Sequence, residues 1–177
     1  PFYITPKPAV PRAWIMYPPQ PSPGDPQYSA ILAMQYLGAQ DLGKAKTIME
    51  PAYQKRPDSP ELALDYCRVL LASKDMEGVM RVAQPFYKLQ KYEFAQFLGE
   101  AAQALGRYGE AVGYYKDFLV SQGTNINVLN AIGECYVKIG DIPQALTAWK
   151  KSLELAPKQD GLRAKIAELE KKVPVRK

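Results

Sequence analysis

The sequence predicts an all-α chain: a solenoid of about four helix pairs, closed by a C-terminal capping helix and preceded by an extended proline-rich arm. Three observations predict it. From Gln27 onward, small and apolar residues recur at spacings of 34, 32 and 34 residues. The first 26 residues hold more than half of the chain's 16 prolines. A single amphipathic stripe follows the last repeat, in residues 160–173.

The arm comes first. Proline lacks an amide donor and biases the residue before it toward extended backbone, so residues 1–26 should carry no helix of their own. The segment also holds Phe2, Tyr3, Ile4, Trp14, Ile15, Met16 and Tyr17. Solvated linkers are poor in such anchors. Lys7 and Arg12 are its charged residues up to Gly24, with no acidic side chain. A docking arm is expected, lying along a concave helical groove in its own subunit or a neighbour's.

The repeat follows. Ala45, Val79, Ala111 and Ala145 form one column, and Ala33, Cys67, Gly99 and Gly133 a second with identical spacing. Small residues there let two helices approach closely. Asp41, Asp75 and Asp141 each precede a helical run, where an aspartate caps free amides. Pro51 and Pro85 begin a shared Pro-x-Tyr and are expected to bend or end the second helix of their pairs. The predicted pairs are 27–39 with 42–55, 59–73 with 76–89, 92–105 with 108–121, and 126–139 with 142–156. Leu162, Ile166, Leu169 and Val173 then make the apolar stripe of the cap, and its basic residues are expected to form a solvated face.

The fourth unit reads Leu129, Ile132, Gly133, Tyr136, Gly140, Ala145, Trp149 and Pro157. This resembles the tetratricopeptide (TPR) signature. The third unit keeps Leu98, Gly99, Gly106, Ala111 and Tyr115. The first keeps Tyr36, Ala45, Ala52 and Pro57, and the second is the most degenerate. The resemblance covers units at about 27–57, 58–89, 92–123 and 126–157. It implies a right-handed superhelix whose concave face is lined by the first helix of each pair.

Carrying the family's groove columns onto this chain gives Gln27, Ala30, Ile31 and Met34 in the first unit, and Glu61, Leu64, Asp65 and Arg68 in the second. The third gives Glu93, Gln96, Phe97, Glu100 and Gln103, and the fourth Asn127, Asn130, Glu134 and Lys138. The implied groove is apolar at its N-terminal end and acidic in its middle. Family members that hold a peptide's terminal carboxylate do so with Lys and Asn in the first repeat. Ala30 and Met34 occupy those columns here, so that function is not expected.

Composition narrows the chemistry. The chain of 177 residues is 47% apolar and 23% charged, ordinary for a globular protein. It has no histidine, which removes the commonest general base and metal ligand. Cys67 and Cys135 fit no metal spacing and are expected to be reduced, buried and apart. No Gly-rich phosphate loop occurs. No enzyme activity, cofactor or metal is expected. The net charge of +5 sits in residues 150–177, with nine basic and four acidic side chains, and no nucleic-acid partner is expected. No apolar run reaches the roughly 18 residues of a membrane span. The chain begins at Pro1, as a processed or trimmed end would. Its compartment stays open between a bacterial envelope or secreted setting and the cytoplasm. The expected function is a protein–protein scaffold that binds a peptide or partner subunit through groove and arm. The alternatives are a structural subunit assembled with neighbouring copies by arm exchange, and an accessory subunit of an envelope machine.

Overall fold

A computed structural model describes residues 24–89 and 92–172. The anchors Phe2, Tyr3, Ile4, Lys7, Arg12, Trp14, Ile15 and Tyr17 lie outside the described residues, as does Val173. Among the described residues the regular structure is entirely helical. The helices are α1 (Pro26–Gly38), α2 (Leu42–Lys55), α3 (Pro60–Ala72), α4 (Met76–Lys88), α5 (Ala95–Ala104), α6 (Tyr108–Gln122), α7 (Ile126–Ile139), α8 (Ile142–Leu155) and α9 (Asp160–Lys172). Each odd-numbered helix up to α7 pairs with the next, and α9 closes the stack on α8.

Both small-residue columns are buried without exception. Ala45, Val79, Ala111 and Ala145 are fully buried, and so are Ala33, Cys67, Gly99 and Gly133. A third column runs through the second helices: Met49, Ala83, Tyr115 and Trp149, again 34, 32 and 34 apart and all buried. It lies 16 residues after the second column, and the two sets trade volume. Glycine stands with tyrosine or tryptophan, alanine with methionine, and cysteine with alanine. Cores packed at crystal-like density require such trades.

The turn inside each pair repeats as well. The amides of Asp41, Asp75, Arg107 and Asp141 reach back to the carbonyls of Tyr36, Leu70, Ala102 and Tyr136 at 2.8–2.9 Å. The residue before each, Gln40, Lys74, Gly106 or Gly140, takes a left-handed backbone with φ between 58° and 89°. This is the Schellman ending of a helix. The aspartates then cap the next helix: Asp41 accepts from the Lys44 amide, Asp75 from Gly78 and Asp141 from Gln144. The third unit has Arg107 there and no side-chain cap.

Pro51 and Pro85 sit inside their helices, with α2 running on to Lys55 and α4 to Lys88, close to the predicted ends at 55 and 89. One expectation changes in detail. The first helix of the third unit opens with a tight 3-10 turn, Tyr92–Phe94, and α5 starts at Ala95. Phe94 has no exposed surface and stacks on Phe86 with ring centroids 4.7 Å apart, which anchors the third unit on the second.

Asp75 also receives the Lys46 ammonium at 2.8 Å, joining the first unit to the second. That hydrogen bond, and then the Gly78 amide, hold its carboxyl below its ordinary value of 3.8. A depressed carboxyl stabilises the fold above its unfolded value and loses that contribution as pH falls through the folded value. Asp75→Ala is therefore expected to cost about 0.5–2 kcal/mol at neutral pH through the lost cap. Its deficit against the parent should shrink as pH is lowered below 3.8. Urea melts of both proteins across that range check it, and a pH-independent gap would contradict it.

Cys67 and Cys135 are free and buried. Burial pushes the first thiol up to about 12 and the second to about 11. Both should resist a disulfide reagent in the native state at mild alkaline pH and react once the chain is unfolded. Intact mass should show no internal bridge.

Candidate functional site

The first helices of the last three pairs, α3, α5 and α7, line an open cavity of about 870 Å³ together with α9 and with Met76, Tyr108, Tyr115 and Trp149 of the second helices. Its apolar surface comes from Leu71, Met76, Ala104, Val137, Tyr115, Trp149 and Leu169. The small residues Ala72 and Ala104, at matching register in α3 and α5, keep the floor low enough for the Tyr115 and Trp149 rings to contribute to it. Tyr115 donates to Gln103 at 2.8 Å, and the Trp149 indole donates to the Asn130 carbonyl at 3.1 Å. Burial, followed by the neighbouring Glu100 carboxylate, raises the Tyr115 phenol far above its ordinary value, so it remains a neutral donor.

The ionic lining is balanced: Lys74, Lys138 and Lys165 face Glu100, Glu134 and Glu168. Lys165 meets Glu134 at 3.0 Å and stands 5.9 Å from the Trp149 ring centre. Gln96 donates to Glu100 at 2.8 Å. The cap thus builds one wall of the cavity and is more than a solvated end. It is held by Leu162 and Ile166 against Trp149, and by Lys150 on Glu170 at 2.7 Å. Gln159, just ahead of α9, donates to the Ser152 carbonyl and hydroxyl and to the Ala156 carbonyl, and accepts from Asn130 at 2.8 Å.

Of the residues assigned from the groove columns, Glu100, Gln103, Glu134 and Lys138 line this cavity. Met34 and Phe97 pack half-buried against the core of the first three units. Asp65 and Arg68 form an ion pair with each other on α3. Asn130 is taken up by Gln159 and Trp149, and Glu61, Glu93, Gln96 and Asn127 are not part of the lining. Of the five carboxylates carried over, Glu61, Asp65 and Glu93 lie outside this cavity, and Glu100 and Glu134 line it. Column transfer missed Lys74, Tyr108, Lys165 and Leu169. The first follows the left-handed turn column, whereas the last two depend on how the cap docks.

Comparison with known proteins bears on this arrangement. Residues 36–84 match the sequence profile of the tetratricopeptide repeat. A TPR repeat-containing protein of Methanocaldococcus jannaschii is 32% identical over 74 residues. That match takes in 41% of this chain and 13% of the relative, so the chain spans about an eighth of the relative's length. Residues 36–84 thus carry a tetratricopeptide repeat. The solved structures it resembles share the fold. MamA superposes with a TM-score of 0.63 and 22% identity, over 76% of this chain and 75% of that one. MamA from Desulfovibrio magneticus gives 0.68 and 18%, over 77% and 78%. A chain of the APC/C hetero-tetramer Cut9–Hcn1 gives 0.72 and 19%, over 82% of this chain and 30% of that one. Among the described residues, no helix is long and apolar enough to cross a membrane, and no group of three or more Cys, Asp or Glu is placed to hold a metal.

Proposed function

We propose that this protein is a non-catalytic interaction scaffold that takes a peptide or partner segment in the cavity between its first helices and its cap. The observation that carries this reading is the cavity itself. Its floor is apolar and aromatic, and about 870 Å³ is room for several side chains. Rigid helices hold both walls, so a ligand pays little to order the site. The arm supplies a second contact in this reading, through Phe2, Tyr3, Ile4, Trp14, Ile15 and Tyr17, to a partner or a neighbouring copy.

The test is selection of displayed peptides on the full chain, followed by binding to Ala104→Trp. Ala104 is exposed at the end of α5 and lines the floor, so an indole there takes up part of the cavity without entering the core. Selected peptides should bind the parent and lose the variant. Failure to enrich any peptide, or peptides indifferent to the variant, would remove the cavity as the binding site.

A further inference from the structure

Ion pairing inside the cavity is uneven. Glu134 is paired with Lys165, and Glu168 is engaged within the chain. Glu100 accepts from the Gln96 amide, a neutral donor that leaves its charge in place. The side-chain ammonium groups of Lys74 and Lys138 have no hydrogen bond or ion pair among the described residues. They can take anions at two places.

Both places lie along one edge. Lys74 is the left-handed residue of the turn after α3, and Lys138 stands in the last turn of α7. Between these two first helices lies α5, so the cations stand at least two helix widths apart, roughly 20 Å. A single terminal carboxylate reaches one of them. Two acidic side chains about six residues apart on an extended segment, at roughly 3.3 Å per residue, reach both. The surface between is the apolar floor of Leu71, Met76, Ala104, Tyr115, Val137 and Trp149.

Resting on the cavity as partner groove, we infer that its occupant is an extended segment of another protein in which a bulky apolar residue is bracketed by acidic side chains. The chain's own arm is the wrong occupant by sign, since its charged residues up to Gly24 are Lys7 and Arg12.

The test uses three blocked, fluorescent synthetic peptides with the full chain, read by anisotropy. One brackets a phenylalanine with glutamates six residues apart, the second has lysines in their place, and the third has serine for phenylalanine. The glutamate peptide should bind about tenfold tighter than the lysine peptide. The gap should narrow as salt rises. The serine peptide should lose binding. Lys74→Glu with Lys138→Glu, both at exposed positions, should reverse the order of the two charged peptides while leaving the helical spectrum unchanged. Equal affinities for the charged peptides, or a preference for lysine, with binding still lost in Ala104→Trp, would overturn this inference and leave the groove reading intact. No binding by any of the three would remove both.

Discussion

Replacing Trp149 with alanine is expected to destabilise the protein by about 3–5 kcal/mol, through lost burial and the cavity left behind. The indole is 3% exposed and centres a small core with Leu162 and Ile166, edged by Val137, Leu146, Leu153 and Leu169. Its N–H is bonded to the Asn130 carbonyl, so the variant also loses a link between α8 and α7. The effect should be local first. In a solenoid each unit is held mainly by its neighbours, so the cap, whose apolar contacts run through this cluster, should detach before the other repeats melt. Thermal melts followed by circular dichroism should fall by roughly 10 °C. Amide exchange should speed up in 160–172 ahead of α1–α6. Trp149→Phe, which keeps most of the apolar area, should sit between variant and parent. A melt matching the parent would show that the ring is not the keystone of the cap.

The repeat was legible in the sequence because its signals rest on residue type alone. An alanine or glycine where helices cross, and an aspartate where amides are free, mean the same thing wherever the superhelix carries them. The turn column was half hidden. Gly106 and Gly140 mark a left-handed position, but Gln40 and Lys74 hold the same conformation without glycine. The reach of α2 and α4 beyond their prolines was legible, since the apolar periodicity carries on past Pro51 to Ala52, buried on α2, and past Pro85 to Phe86, buried on α4. The lining of the cavity was least legible. Which members of a column face a common cavity depends on the rotation from unit to unit and on where the cap lands. Asp65 turns to Arg68, Asn130 is consumed by Gln159, and Lys165, read as solvated, reaches Glu134.

Gly133→Leu should cost about 1–3 kcal/mol by overpacking, and the structure shows why so little space exists. A β-carbon on Gly133 would stand 2.1 Å from the Trp149 Nε1 and 2.3 Å from its Cδ1. Both are atoms of a rigid buried ring, so the helices themselves would have to part. Gly99 meets the Tyr115 ring in the same way, at 2.5 Å, one unit earlier. If the two columns trade volume, the damage at one position should depend on its counterpart. The second unit places Cys67 and Ala83 at the register of Gly133 and Trp149, so a larger residue with a smaller one is an arrangement this fold already accepts. Gly133→Leu combined with Trp149→Ala should therefore be less destabilised than the sum of the single variants, with a coupling of about 0.5–3 kcal/mol. Urea denaturation of the parent, both single variants and the double variant gives that term directly. Additivity within about 0.5 kcal/mol would mean that the pair does not share its space. A coupled result would make the Gly–aromatic pair the unit that sets how closely α7 and α8 approach, and hence how deep the cavity between the first helices and the cap can be.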